Sequence, residues 1–308
     1  MRIVFAATGD IALPLLDALF KEHLIALVLT SPDAPGKRGK TLLPSPIKKR
    51  ALELGLDVYT PSTLKREARE KVCEYNADML ISFCYGKIFG PKFLSLFSRT
   101  MNVHPSLLPM YRGCSPIYNI IKDSLQSGAV TLQEIALGVD EGRIYKAVSF
   151  PLEGNETEAS LTERVAHIVP DAVISVLNGI DNIVLTEQQG EPSYTSFVNK
   201  DEGAIDFKKG AKEIHSLIRA CYPWPKAYGM LNGEKLYITG VYGSAFEPFD
   251  STDAAPGTIL EFDKTKGLKV AAGDGAIYIT RVLPPAKKEM DIHSYLNGQK
   301  NVIGNAFV

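Results

Sequence analysis

The feature that most restricts this chain is a run of short apolar segments alternating with helix-spaced ones. Ile3–Ala7 is apolar throughout, and Gly9-Asp10 is a turn signal behind it. Ala12, Leu15, Leu16 and Leu19 then recur at the spacing of one helix face. The pattern returns along the chain. Ile25–Leu29 reads as a strand, and a helix closes over Ala51–Leu54 with Gly55 as its C′ residue. Val58-Tyr59 is a brief strand, Lys65–Tyr75 a charged amphipathic helix, and Met79–Phe83 and Met101–His104 two further strands. Strands joined by helices must run parallel and build a Rossmann-like α/β sheet, because a crossover returns the chain to the same edge. Ligands of such sheets bind beyond the carboxyl ends of the strands.

The texture changes after about residue 200. Ala211–Ala220 is a last helix. Tyr228–Met230, Lys235–Val241, Gly257–Phe262, Leu268–Ala271 and Ala276–Val282 are short runs broken by Gly, Asn, Asp and Pro. That is the pattern of a small antiparallel, OB-like β-barrel. Residues 1–188 are therefore expected to form a catalytic domain, 189–206 a linker and 207–308 the barrel. Two domains suit a length of 308 residues.

Composition narrows the class. Hydrophobic residues make up 45% and charged ones 22%, the mix of a globular protein. A net charge of −1 excludes a polybasic protein that binds by bulk charge. Cys73, Cys84, Cys114 and Cys221 form no CxxC pair, so neither a zinc site nor a disulfide framework is signalled. The first apolar run is too short for a signal-peptide core, and no stretch has the ~18 apolar residues of a membrane span. A cytoplasmic monomer without metal is expected.

The richest stretch is 101–113. Asn102 and His104 stand two apart at a strand end, so the two-residue period of a strand aims both side chains at one face. An amide and an imidazole in one cleft can donate to an oxygen that gains negative charge, and the imidazole can carry a proton. Asp140, in the glycine-flanked segment 138–142, is the candidate for fixing the imidazole tautomer. A lone strand histidine is most often a satisfied core residue. The downstream Ser106-Leu107-Leu108-Pro109 and the Gly138-x-Asp140-x-Gly142 segment are what make this pair specific.

On those residues the chain resembles the folate-dependent formyltransferases. The resemblance matches Asn102, His104 and Asp140 to that family's catalytic Asn, His and Asp, and it runs nearly end to end. Tyr222-Pro223-Trp224-Pro225 and Ala255-Pro256-Gly257-Thr258-Ile259 extend it into the barrel. It implies 10-formyltetrahydrofolate as formyl donor, with no metal. It also implies that Tyr85, Gly86, Ile88, Ser106, Leu107, Leu108 and Pro109 line the folate pocket. Within the family the implied acceptor is the amino group of methionyl initiator tRNA. Lys37, Arg38, Lys40, Lys48, Lys49 and Arg50 stand against Asp33 alone, a local excess of five positive charges in residues 31–50. Glycines and prolines read that stretch as an irregular loop able to reach a phosphate backbone. The resemblance places tRNA contacts at Lys37, Arg38 and Lys40, with Arg38 the key arginine.

Two departures touch the substrate contacts. Ala7-Thr8-Gly9-Asp10-Ile11 replaces the family's Gly-Thr-Pro-Asp-Phe, and Glu141-Gly142-Arg143 follows Asp140 where Thr-Gly-Asp is usual. Three rivals stand beside the implied function. They are formyl transfer to an amino-sugar nucleotide, a non-catalytic tRNA-binding relic, and a nicotinamide-dependent oxidoreductase. The last lacks its GxGxxG fingerprint, because Ala7-Thr8-Gly9 offers one glycine.

Overall fold

The computed structural model describes residues 1–308 except His23, 37–40 and 300–301. The chain divides into two compact units. The first comprises Met1–Gly113, Ala129–Ser149 and Thr162–Tyr194. The second comprises Cys114–Gly128, Phe150–Leu161 and Thr195–Val308.

The strands of the first sheet are β1 (Ile3–Ala7), β2 (Ile25–Leu29), β3 (Val58–Tyr59), β4 (Met79–Phe83), β5 (Arg99–His104), β6 (Ser127–Gln133) and β7 (Ile144–Pro151). They line up as β7-β6-β5-β4-β1-β2-β3. Pairing is parallel from β3 to β5, and β6 joins β5 antiparallel. The sheet thus has the parallel Rossmann-like core that the alternating pattern predicts, extended past β5 by the antiparallel β6. The parallel part follows the Rossmann order, with its reversal between β1 and β4. Every residue of β1 and β4 is buried, because helices cover both faces of such a strand and leave no polar side.

The helices before β6 are α1 (Leu13–Lys21), α2 (Pro46–Glu53), α3 (Arg66–Cys73), α4 (Pro91–Leu94) and α5 (Pro116–Lys122). Ser45 caps α2, its hydroxyl accepting from the Lys48 amide, and Pro46 occupies the first turn, where its missing N–H costs nothing. The apolar contacts of α3 and α4 form a core of Val72, Phe89, Phe93 and Phe97 under β1, β2 and β4. Sequence texture left 105–200 largely unassigned. The structure places there β6, β7 and the long helix α6 (Glu158–Gly179), which holds Pro170 in its interior. That internal proline breaks the pattern by which a sequence announces a helix.

The second unit holds α7 (Ala211–Ala220) and the strands β8 (Ala227–Leu231), β9 (Glu234–Val241), β10 (Ile259–Asp263), β11 (Gly267–Ala271) and β12 (Ala276–Leu283). Their order is β8-β9-β12-β11-β10, and each neighbouring pair is antiparallel. These boundaries lie within two residues of the runs read from sequence. Residues 305–308 bridge the open edges, Leu231 pairing with Phe307 and Thr258 with Ala306. The closure depends on Gly257: its φ is +86°, and a Cβ there would lie 2.3 Å from the Phe307 carbonyl oxygen. Beneath the barrel a polar cluster is sealed in. Arg219 Nε donates to His215 Nδ1 at 3.1 Å, its Nη1 to the Glu156 carbonyl at 2.8 Å and its Nη2 to Ser216 Oγ at 2.9 Å.

Candidate active site

β5 ends on the site. Asn102 and His104 lie on one face of it, as the two-residue period requires. On the neighbouring strand β6, Gln133 stands opposite Asn102 and Thr131 opposite His104. Chain from the β6–β7 connection then brings Asp140 over this edge. Its Oδ1 accepts from Asn102 Nδ2 at 3.1 Å and from Gln133 Nε2 at 2.8 Å. Its Oδ2 accepts from the Gly113 amide at 2.9 Å and lies 3.4 Å from His104 Nδ1. Three donors on one carboxylate hold it in one orientation.

His104 is 4% exposed. Its Nε2 is 2.8 Å from the Tyr111 carbonyl oxygen. A carbonyl only accepts, so the ring's proton sits on Nε2 and Nδ1 is the basic atom, facing Asp140. Burial pushes the imidazole below its ordinary value, while the Asp140 charge and the Tyr111 carbonyl pull the other way. The ring is neutral near pH 7 and holds a site for one proton beside a carboxylate. The sequence suggested that His104 could also donate directly to a substrate oxygen. In the structure Nε2 is engaged by the Tyr111 carbonyl, and Nδ1 faces the Asp140 carboxylate at 3.4 Å. Asn102 has two N–H groups and gives one to Asp140, which leaves the other for a ligand.

The rest of the edge is rigid and partly bare. Cys84, Tyr111 and Asp140 have φ of +53°, +58° and +55°, a left-handed region that side chains disfavour. Cys84 is solvent-exposed at one face and enclosed by protein on its others. That enclosure, with the Asp140 charge added, pushes its thiol up to about 12, so it offers no thiolate nucleophile. Gly142 approaches so closely that a Cβ would sit 1.8 Å from the Glu134 carbonyl oxygen.

The residues implied for the folate pocket separate into two groups. Ile88 and Leu107 are exposed, and Gly86, at φ +78°, has open space where a Cβ would point. The Tyr85, Ser106 and Leu108 side chains turn inward. Tyr85 stacks on Phe89 at 5.5 Å, Ser106 Oγ donates to the Met110 carbonyl, and Leu108 is buried. These three can offer a ligand backbone only. Pro109 accepts from the Ser193 amide through its carbonyl. The apolar side chains of Leu137 and Val139 are exposed beside Asp140 in sequence, and neither was singled out there. Gln133 was missed as well, because nothing in the sequence marks which β6 residue will face Asn102.

The basic stretch comes out differently. Lys37, Arg38 and Lys40 lie outside the described residues. Lys48, Lys49 and Arg50 sit on α2, not in an irregular loop. Lys48 Nζ is 2.7 Å from Asp33, and Arg50 Nε is 2.8 Å from Asp17. Part of the apparent positive excess is therefore balanced locally. Among the described residues, no group of three or more His, Cys, Asp or Glu side chains is arranged to hold a metal ion, and no helix is long and apolar enough to cross a membrane.

Comparison with known proteins gives two family models. One, described as formyl transferase, matches residues 1–177, and another, formyl transferase C-terminal domain, matches 198–300. The chain is 35% identical over 310 residues to the methionyl-tRNA formyltransferase of Borrelia hermsii (strain HS1 / DAH), covering 100% of both chains. In fold it resembles the N-formyltransferase of Helicobacter canadensis, solved with folinic acid and dTDP-3-aminofucose. There the TM-score is 0.68 and identity 21%, covering 92% of this chain and 100% of that one. It also resembles a variant of HypX from Aquifex aeolicus, with a TM-score of 0.64 and 17% identity. That match covers 96% of this chain but 48% of HypX, so the chain spans about half of that protein's length.

Proposed function

We propose a function from this premise: the chain belongs to the formyl transferase family, and it is an enzyme that transfers formyl groups. The donor is 10-formyltetrahydrofolate, and the acceptor is the amino group of methionyl initiator tRNA, in the cytoplasm. The observation that carries the reading is the Asn102–His104–Asp140 cluster at the carboxyl end of β5, with one amide N–H and one buried basic nitrogen committed to it. Relatives as near as 35% identity across the whole chain bear the name methionyl-tRNA formyltransferase, which supports the acceptor. We also place the domain boundary in 189–206, which overlaps the gap between the two family-model matches.

The edge fits a folate. Exposed Ile88, Leu107 and Val139 offer apolar area to a flat ring, and Gly86 leaves room for the backbone to approach it. Bound there, the folate supplies the activated formyl group. Asn102 turns its second Nδ2 N–H toward the formyl oxygen, on which charge builds as the amine adds. An α-amine, with a pKa of about 7.7–8.0, is partly neutral and nucleophilic near neutral pH. As it adds, it must lose a proton. The Asp140–His104 pair takes that proton between Oδ2 and Nδ1, and later returns it to the nitrogen that leaves. Tyr111 keeps Nε2 protonated, so Nδ1 is the atom that exchanges. Lys37, Arg38 and Lys40 hold the acceptor arm by its phosphates, as the local charge excess suggests.

The test is a formyl-transfer assay on purified protein with three acceptors: charged initiator tRNA, charged elongator tRNA and an amino-sugar nucleotide. Transfer to initiator tRNA, weakened by salt and by Arg38→Ala, is the expected result. Preference for the amino sugar, whose transferases share this fold, would replace the acceptor and keep the chemistry. No folate-dependent transfer to any of the three would end the reading.

A further inference from the structure

Gln188 lies outside every motif that points to the reaction, yet it makes the densest set of contacts around Asp140. Residues Ile144 and Thr186 exchange backbone hydrogen bonds, so the chain that follows passes back across the Asp140 segment. There Gln188 Nε2 donates to the carbonyl oxygens of Asp140 at 2.8 Å and Gly142 at 2.9 Å, with Gln133 Oε1 at 3.3 Å. Its Oε1 accepts from Arg112 Nη2 at 2.8 Å and Nε at 3.2 Å. The orientation of the amide is fixed by chemistry: a guanidinium only donates and a carbonyl only accepts. Arg112 in turn reaches Glu141 at 3.3 Å and the Tyr194 hydroxyl at 3.2 Å.

We propose that Gln188 is a positioning residue, clamping the backbone on both sides of Glu141 so that the Asp140 carboxylate stays against His104 and Asn102. This rests on the reading of the site as formyl transfer. The clamp answers a specific need. Asp140 is held at φ +55°, which the backbone leaves unless neighbouring contacts over-determine it. A small loosening there matters, because a misplacement of ~1 Å can cost about 100-fold in rate. Gln188 touches no reacting atom in this scheme; it acts through the carbonyls that carry Asp140.

Two replacements of similar length separate the parts of this role. Gln188→Glu keeps an acceptor for Arg112 but sets oxygen against the two carbonyls. Gln188→Met removes both functions. In each, kcat is expected to fall ~10- to 100-fold with both KM values within about twofold. A Gln188→Glu protein with kcat within twofold of wild type overturns the proposal, because Gln188 then serves only to anchor Arg112. The second measurement needs no substrate. His104 is followed by proton–carbon NMR, its imidazole resonance assigned from the spectrum of His104→Gln. Loss of the nearby carboxylate lowers the pH at which His104 titrates by about half a pH unit or more. A folded variant whose His104 titrates as in wild type overturns the proposal whatever its kcat. If the wild-type protein transfers no formyl group, the functional reading fails on its own, and the NMR titration still decides whether Gln188 positions Asp140. Should Gln188→Met not fold, Gln188→Glu carries both measurements.

Discussion

Among the described residues, two histidines are sealed inside this protein, and their neighbours give them opposite properties. His104 ends a strand with a carboxylate 3.4 Å from one ring nitrogen and a carbonyl on the other. His215 sits within α7, fully buried, with the Arg219 guanidinium on Nδ1 and Phe249 edge-on at 5.4 Å. The Tyr242 and Gly243 backbone carbonyls lie on its far side, short of true hydrogen-bond geometry. Burial and the adjacent cation push His215 down to about 4. Burial also lowers His104, but there a negative charge opposes it. Burial alone therefore does not make a histidine reactive. A buried ring can exchange a proton at neutral pH only where a neighbour will share the resulting charge. Arg219 keeps its charge near neutral pH, and that charge disfavours a proton on His215, so the second cluster is a structural one.

The largest effect should come from breaking the first pair. His104→Ala is expected to lower kcat by ~100- to 10,000-fold while leaving circular dichroism unchanged, the range expected for losing a general acid–base. A folded variant with near-normal turnover would put the two histidines in one class. Gly142→Ala comes next. Its new methyl cannot share space with the Glu134 carbonyl, so the Asp140 segment must move, and kcat should drop by ~10- to 100-fold. Steady-state kinetics at saturating substrate read this directly.

His215→Ala should do the reverse. Turnover at 25 °C stays within about twofold, while stability falls by ~2–4 kcal/mol, because a cavity opens and Arg219 Nε loses its acceptor. Chemical denaturation compared with wild type measures it. The sign of the pH dependence sharpens the contrast. With a folded value of about 4 against an unfolded value of roughly 6.5, His215 favours the folded state most above pH 6.5. That contribution, about 3 kcal/mol, is lost as pH falls from 6.5 through 4. Melting temperatures of wild type and His215→Ala should therefore converge in acid. Parallel curves would show that the ring titrates normally. The smallest effect belongs to Cys84→Ala: with its thiol pushed up to about 12, turnover should change less than about twofold. A large loss would give that sulfur a role the geometry does not.

How much of this was legible beforehand depends on the distance over which each element is decided. The strands with wholly apolar sequences were readable, as were the barrel strands set off by Gly and Asn. Their signals are local periodicities. Asn102 and His104 were readable for the same reason, since one strand fixes their shared face. Asp140 was a candidate from its glycine-flanked segment, and the resemblance matched it to a role; 38 residues of chain separate it from Asn102, and no local rule spans them. Gln133 and Gln188 were invisible. Each matters only through a partner supplied by folding, and Gln188 stood at the last position of the expected catalytic domain, next to the linker. The basic stretch was over-counted by one charge: Asp33 already stood in its tally, but no local rule brings in Asp17, which folding delivers to Arg50.

The three left-handed residues at the site, Cys84, Tyr111 and Asp140, carry a consequence for anyone who would harden this protein. Glycine at such a position relieves roughly 1–2 kcal/mol of backbone cost per residue, set against the greater freedom it gives the unfolded chain. Selection for heat tolerance alone would accordingly be drawn to these positions. It would then remove the only side chain that can fill the role at 140. At 111 it would free the carbonyl on which the His104 tautomer depends. In this fold the route to a tougher protein and the route to a slower one begin at the same residues.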